Sequence, residues 1–390
     1  MSKELPEDVI IDILSRVPTR YILRFKSVSK SWYALFQNPN FISKHFQNQS
    51  TTSDPSFLFS PEKSTTLTPT SDHNVVLILS DSSYKSIKIP INMSKPFDVY
   101  GSCNGLICLG VLPVGSIILL WNPATGVFKD LPISPVGRFR NDPSRVVLSF
   151  GFDDVVKDYK VLRILHYDFQ FKQVEIYSLN TNSWREIKTR VDFIIYESPC
   201  RVFLNGKFHW AAVGVVDNDE TNLIVCFDLH GEAFKYIMLP KFEFNGRTRG
   251  YFGDCWLVVA IKESLSVIAW NESGSGVVMI EVWVMKEYGV ISSWTKYTSF
   301  ELQTKVARVL GCGIKGEFLL VKDNGQLVVY DPDTQRFNNL GKYRVDYFSK
   351  VLNHVGSLIP INGGEVSTRT NLSSVVPDAF FANLLGTRIV

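Results

Sequence analysis

The sequence lacks the paired cysteines that mark metal and redox sites. Its six cysteines are scattered through apolar segments, and no two of them form a CxxC motif. This spacing excludes a zinc ribbon and a thioredoxin-like site, and it favours buried free thiols of a protein that works in a reducing compartment. The six histidines likewise include no HExxH motif, so we expect no metal site.

A long uninterrupted hydrophobic segment is also absent. Residues 99–128 carry no charged side chain, but Asn104, Pro113 and Gly115 interrupt them. A membrane-spanning helix needs about 20 continuous apolar residues, so two buried strands fit this segment better. No apolar leader follows Met1 either. We therefore expect no membrane association, and a location in the cytoplasm, the nucleus or both.

Catalytic motifs are missing as well. The chain contains neither GxSxG nor a Walker loop, because "GCGIKGEF" lacks the Lys-Ser/Thr pair after its last glycine. The formal net charge is only +3, which is too small to indicate a chain that binds nucleic acid. The sequence therefore predicts no enzyme, no cofactor and no nucleic-acid partner.

Residues 5–47 have the periodicity of short α-helices. In "EDVIIDILSRV", Val9, Ile13 and Val17 recur every four residues, and Pro18 then ends the helix. Three further helices are predicted in "RYILRFKSV", "SKSWYALFQ" and "NPNFISKHFQN". Helices of about ten residues are marginal alone, so these need a partner surface from the rest of the chain or from another protein.

From residue 57 onward the chain repeats a hairpin pattern. Each hairpin has alternating apolar positions that lead to a first aromatic residue, a polar turn such as "NPATG" or "DPDTQ", and a second aromatic residue. The first aromatic residues are Trp121, Tyr177, Phe227, Trp283 and Tyr330. The second ones are Phe128, Trp184, Phe234 and Phe337, each seven residues on, and Trp294, eleven residues on.

The spacing of these hairpins predicts propeller blades. Successive first aromatic residues lie 47–56 residues apart, which leaves room for about four strands per unit. A candidate sixth, degenerate unit is "VVLILSDSSYKSIKIP". We therefore expect an α+β chain, in which a small helical domain precedes a mostly β domain that forms a kelch-like β-propeller of six to seven blades. A β-sandwich is the alternative fold.

The segment "LPEDVIIDILSRVPTRYILRFKSVSKSWYAL" resembles an F-box. That family combines Leu-Pro, an apolar helix ending in Ser-x-Leu-Pro, an apolar and basic second helix, and Val-Cys-Lys-x-Trp-x-x-Leu. The positions in register are Leu5, Pro6, Ile13, Leu14, Ser15, Pro18, Leu23, Val28, Lys30, Trp32 and Leu35. Val9 and Val17 stand where leucine is common, and Ser29 stands where cysteine is common.

The remainder resembles the F-box-associated domain of the plant F-box/kelch-repeat group, which includes S-locus F-box proteins. Its recurring blocks are similar, in order, to "GSCNGLICLG", "LWNPATGVFKDLP", "GFDDVVKDYKVLRI", "VEIYSLNTNSWREI", "NGKFHWAA" and "IEVWVMKEYG". We expect an F-box domain at residues 1–47, a linker at 48–56, a propeller at 57–360 and a weakly structured tail at 361–390.

The resemblance implies the substrate-recognition subunit of an SCF-type cullin ubiquitin ligase. Its F-box is expected to dock a Skp-family adaptor, which joins the cullin, and its propeller to bind an unidentified target protein for proteasomal degradation. The expected adaptor-binding residues are Leu5, Pro6, Leu14, Val17, Pro18, Leu23, Val28 and Trp32. The alternative is an enzyme or binding module on a propeller scaffold, with an N-terminal helical dimerisation element.

Propeller loops are the expected target-binding sites, because the blade cores are filled by packing. The longer connections are predicted at residues 134–145, 189–200, 214–221 and 241–250. The last of these combines aromatic and arginine side chains, which are frequent at protein interfaces. The candidate target-binding residues there are Phe242, Phe244, Arg247 and Arg249.

Overall fold

The protein is described here from a computed structural model. It describes residues 5–52, 56–59, 74–78, 84–89, 97–111, 117–135, 145–167, 172–189, 191–195, 202–242, 256–272, 277–302, 306–313, 316–344 and 351–366. Within these ranges, no helix is both long and apolar enough to cross a lipid bilayer.

Four helices form the N-terminal part of the chain. They are α1 (Glu7–Arg16), α2 (Thr19–Phe25), α3 (Lys30–Leu35) and α4 (Pro39–Thr52). Pro6 and Pro18 immediately precede α1 and α2, where a missing backbone N–H costs nothing. Ser29 caps α3, because its Oγ accepts a hydrogen bond from the Trp32 N–H at 3.2 Å. The departure from the common cysteine at this position therefore supplies a helix cap.

The described strands form six antiparallel sheets, whose strands are numbered in chain order. The first sheet contains β1 (Ser56–Phe59), β2 (Asn74–Ile78), β3 (Tyr84–Lys88) and β25 (Val351–His354). The second contains β4 (Phe97–Cys103), β5 (Leu106–Val111), β6 (Ile118–Asn122), β7 (Val127–Asp130) and β26 (Glu365–Val366). The third contains β8 (Arg145–Asp153), β9 (Asp158–His166), β10 (Lys172–Ser178) and β11 (Ser183–Ile187).

The other three sheets follow in chain order. The fourth contains β12 (Phe193–Ile195), β13 (Val202–Leu204), β14 (Lys207–Val216), β15 (Asp219–Asp228) and β16 (Ala233–Met238). The fifth contains β17 (Trp256–Ile261), β18 (Ser264–Glu272), β19 (Val278–Met285) and β20 (Trp294–Leu302), with a 3₁₀ turn at Ile291–Ser293. The sixth contains β21 (Val306–Cys312), β22 (Phe318–Lys322), β23 (Gln326–Asp331) and β24 (Arg336–Arg344).

The predicted hairpins are the antiparallel pairs β6–β7, β10–β11, β15–β16, β19–β20 and β23–β24, one in each of five sheets. In four of them, the two aromatic residues seven apart are direct cross-strand partners: Trp121 with Phe128, Tyr177 with Trp184, Phe227 with Phe234, and Tyr330 with Phe337. In the fifth hairpin the additional residues contain the 3₁₀ turn, and Trp294 pairs with Met285 instead. The periodic aromatic residues therefore mark cross-strand pairs, which stabilise a hairpin.

The number of blades differs from the prediction. Five sheets are blades built on the repeat, which is fewer than the six to seven blades expected from the spacing. The remaining sheet is a composite, because β25 from the C-terminal side pairs with β1 from the N-terminal side. The candidate degenerate unit supplies β2 and β3 of this sheet. The repeat could not predict the composite sheet, since one of its three strand pairings, β25 with β1, joins distant parts of the chain.

The hydrophobic core lies between neighbouring sheets. Each of six clusters of buried side chains joins two neighbouring sheets. The series runs from the first and second sheets to the fifth and sixth, and the last cluster joins the sixth sheet to the first. This closed ring is the packing of a propeller and rules out the β-sandwich alternative. The helices form a seventh cluster, to which Leu358 from the segment after β25 also belongs.

Ordered elements cross two of the predicted domain boundaries. Helix α4 continues to Thr52, so the first residues of the expected linker at 48–56 are helical. The expected tail at 361–390 begins with ordered structure, because β26 pairs with β7. Its residues from 367 onward lie outside the described ranges. Sequence composition missed both extensions, because neither segment has a strong apolar period.

Candidate adaptor-binding surface

The four helices pack around a small apolar core. Its buried members from the helices are Leu14, Ile22, Phe36, Phe41 and Ile42. His45 on α4 is also fully buried, and its Nε2 lies 2.9 Å from the Val17 carbonyl oxygen. Burial lowers the pKa of this imidazole, so it is held in the neutral form.

A row of apolar side chains is left exposed beside this core. Leu5, Val9 and Ile13, here called the α1 stripe, follow one another at four-residue spacing and are 58%, 42% and 50% exposed. Val28 and Tyr33 are also more than half exposed. Exposed large apolar side chains at helical spacing on so small a unit are typical of a protein-binding surface.

The predicted adaptor-binding residues divide into surface and core. Leu5, Pro6, Pro18 and Val28 are exposed. Val17, Leu23 and Trp32 are half-buried and pack against the helical core. Leu14 is 4% exposed, so it holds the helices together and is not part of the surface.

Four exposed apolar residues of the helices were not predicted as surface candidates: Val9, Ile13, Tyr21 and Tyr33. The sequence indicated an apolar helix face that contains two of them, since Val9 and Ile13 recur at helical spacing. However, α1 has a second apolar stripe that includes Ile10 and Leu14, and periodicity alone does not say which stripe faces the core.

Basic side chains are exposed on the same helices. Arg16, Arg20 and Arg24 are exposed, and the Arg20 guanidinium lies 4.8 Å from the centre of the Tyr21 ring. Asp12 is paired with both Arg16 and Lys44, and hydrogen bonds from Lys44 and Arg16 lower its pKa. Residues 1–50 carry seven basic and four acidic side chains, a balance that suits an acidic partner.

The propeller has a central cavity of about 480 Å³. The strands around it include β4, β8, β17, β21 and β25. Burial raises the pKa of the Cys103 and Cys312 thiols to about 12 and lowers that of His354 to about 4. The His354 Nδ1 lies 3.1 Å from the Ser102 Oγ. Ser102, Cys103 and Cys312 line the cavity, and His354 follows the lining residue Asn353. Both thiols are held away from the nucleophilic thiolate form.

The target-binding loops are only partly described. Phe242 is half-buried against the cluster between the fourth and fifth sheets, while Phe244, Arg247 and Arg249 lie outside the described residues. The prediction of a long connection at residues 214–221 is wrong. Strands β14 and β15 continue to a tight turn at Asp217 and Asn218, both with positive φ, which is the geometry of a two-residue hairpin.

Comparison with known families agrees with this arrangement of helices and sheets. One family profile, described as the F-box domain, matches residues 3–44. A second, described as the F-box associated beta propeller domain, matches residues 67–356, about three quarters of the chain. The chain belongs to the F-box-associated β-propeller family.

Relatives of this F-box protein match nearly all of its length. The F-box protein CPR1 of Arabidopsis thaliana is 26% identical over 86% of this chain and 84% of its own. An F-box/kelch-repeat protein of the same plant is 26% identical over 86% of this chain and 89% of its own. Another Arabidopsis F-box protein is 28% identical over 91% of this chain and 92% of its own. The expected resemblance to plant F-box proteins is thus confirmed.

Proposed function

We propose that this protein is the substrate-recognition subunit of an SCF-type cullin ubiquitin ligase. Its F-box docks a Skp-family adaptor, the adaptor joins a cullin, and the propeller holds a target protein for ubiquitination and degradation. The observation that carries the proposal is the exposed α1 stripe on an F-box joined to a propeller. F-box proteins are in general non-catalytic, and we propose the same for this chain.

The α1 stripe gives the proposal a physical basis. Burying one large apolar side chain contributes roughly 1.5–3 kcal/mol, so three of them supply a substantial part of a micromolar interaction. Ordering and desolvation at the interface offset part of that gain. The exposed arginines add attraction to an acidic adaptor and speed association.

The location that we propose, the cytoplasm or the nucleus, follows from the cysteines. Cys103, Cys108, Cys226 and Cys312 are all free. The last three are buried. Free thiols of this kind are typical of proteins in reducing compartments.

The proposal is tested by charging the stripe. The double variant Val9→Asp/Ile13→Asp should reduce the affinity of the full chain for a Skp-family adaptor by at least about a hundredfold, because two buried carboxylates would lack partners in the interface. The thermal melting of the variant should remain unchanged, since both side chains are exposed in the free protein. Isothermal titration calorimetry and differential scanning fluorimetry measure the two quantities.

A matched control is available on the propeller. Val155 and Val215 are 68% and 66% exposed and lie in or beside hairpin turns, so Val155→Asp/Val215→Asp adds the same charges elsewhere. It should leave adaptor affinity unchanged. Equal adaptor binding by both double variants would refute the proposed docking surface. Self-association of the full chain that is lost only in the stripe variant would favour the dimerisation alternative instead.

A further inference from the structure

The segment that follows β25 runs between the propeller and the F-box. Residues 355–361, here called the strap, begin beside the cavity, where β25 supplies part of the wall. They lead to β26, which pairs with β7 at the outer edge of the second sheet. The strap therefore crosses one blade from the centre of the propeller to its rim.

One side of the strap completes the core of the F-box. Leu358 is 4% exposed and belongs to the same cluster as Leu14, Ile22 and Phe36, more than 300 positions earlier in the chain. The Thr19 Oγ donates a hydrogen bond to the Gly356 carbonyl oxygen at 3.1 Å. Thr19 itself is 8% exposed, so this contact lies inside the interface.

The other side of the strap is fixed to the propeller. The Ser357 Oγ donates to the Asn104 carbonyl at 2.7 Å, and the Asn122 Nδ2 donates to the Ser357 and Ile359 carbonyls at 3.2 and 2.8 Å. Ile361 is buried in the cluster between the second and third sheets. Gly105 has a φ of +79°, and a Cβ there would lie 2.4 Å from the Ser357 Oγ, so only glycine permits this close approach.

We propose that Leu358 and the strap are positioning elements for adaptor binding. The F-box helices have 6 to 14 residues, and such helices depend on tertiary packing for their stability. Leu358 supplies part of that packing from the propeller side, while Asn122 and Ile361 hold the strap in place. The α1 stripe therefore keeps a fixed orientation relative to the propeller, and adaptor binding depends on a completed C-terminal strap. The adaptor part of this inference rests on the proposed function.

The test compares two leucines of equal burial in the full chain. Leu358→Ala removes the contact with the F-box, while Leu340→Ala removes a side chain that is 3% exposed in the cluster between the sixth and first sheets. Spin labels on the exposed positions Gln47 and Lys188 report the distance between α4 and the third sheet by electron paramagnetic resonance. Calorimetry reports the affinity for a Skp-family adaptor.

Wild-type protein and Leu340→Ala should give one narrow distance distribution and the same adaptor affinity. Leu358→Ala should broaden the distribution and reduce the affinity at least about tenfold, because the helices lose part of their core. Leu358→Met should restore both, since it nearly conserves volume. Thr19→Val, which removes only the hydrogen bond to Gly356, should broaden the distribution to a smaller extent.

Unchanged distances and affinity in both Leu358→Ala and Thr19→Val would overturn the role of the strap. Loss of adaptor affinity in Leu340→Ala to the same extent as in Leu358→Ala would also overturn it, because general destabilisation would then explain the effect. If wild-type protein does not bind the adaptor, the proposed function fails, and the distance distributions alone still decide whether the strap orients the F-box.

Discussion

At the scale of single residues, one turn position of the repeat has two roles. Asp228 and Asp331 directly follow the first aromatic residue of their hairpins, and each accepts hydrogen bonds from backbone N–H groups of the turn. Asn122 occupies the same position and accepts from the Ala124 and Thr125 N–H groups at 3.0 and 3.3 Å. Only its amide group can also donate to the strap. Turn chemistry is therefore predictable from the sequence, but this second contact is not.

Exchange of Asn122 for aspartate separates these two roles. Asn122→Asp keeps the acceptor in the turn but replaces the donor to two strap carbonyls by a buried carboxylate oxygen. The free energy of unfolding should fall by about 2–4 kcal/mol, because two buried carbonyl groups lose a partner. Asp331→Asn, at the equivalent turn, should change it by less than about 1 kcal/mol. Urea denaturation measures both values, and equal effects would show that the strap contact is unimportant.

The buried histidine at the end of β25 predicts a pH dependence. Burial lowers the pKa of His354 to about 4, below its usual value near 6.5 in an unfolded chain. The unfolded chain then binds the proton more tightly than the folded protein does. This contribution to stability is present above pH 6.5 and is lost as the pH falls toward 4.

For one such group, the loss of stability between pH 7 and pH 5 is about 2 kcal/mol. His354→Gln keeps a partner for Ser102 but does not titrate, so its stability should fall less than that of the wild type over this range. Urea denaturation at the two pH values provides the comparison. An identical decrease in both proteins would show that protonation of His354 does not destabilise the folded protein.

At the scale of elements, hairpins were more predictable than helix faces. A first aromatic residue, a turn and a second aromatic residue fix the register of a two-stranded pair, and the structure pairs Phe227 with Phe234 as this pattern requires. Helix α1 was predicted as an element, but its exposed stripe was not, because two apolar stripes of similar width compete for the core. The choice between them depends on packing against α4 and the strap, and the strap is far away in sequence.

The aromatic positions of the repeat do not all contribute equally. Phe227 is fully buried, with its ring centre 4.8 Å from that of Phe234. Trp283 is only partly buried, and the Lys296 Nζ lies 5.7 Å from the centre of its ring. Phe227→Ala should therefore lower the free energy of unfolding by about 3–5 kcal/mol.

Trp283→Ala should lower the free energy of unfolding by less than half as much as Phe227→Ala, since the Trp283 ring is partly hydrated before the substitution. Thermal and urea denaturation of the two variants give the comparison. A larger effect at Trp283 would mean that the repeat position, and not its burial, determines the contribution to stability.

At the scale of the whole molecule, the two ends of the propeller domain close the ring. Strand β25 pairs with β1, and the strap that follows it joins the propeller to the helices encoded before β1. An N-terminal helical F-box followed by a mostly β propeller could be predicted from the sequence. It could not predict this closure, because pairing between Leu58 and Leu352 leaves no periodic signal in either segment. The same contacts make the F-box and the propeller one packed unit.

Hydrogen exchange of the full chain, with and without a Skp-family adaptor, tests the central claim most directly. We expect a one-to-one complex in which backbone amides of α1 to α3 exchange more slowly, because the α1 stripe and its neighbours become buried. Amides of the blades far from the F-box, such as those of β18 and β22, should exchange at unchanged rates. Absence of a complex at micromolar concentrations, or slowed exchange confined to the propeller, would contradict the account.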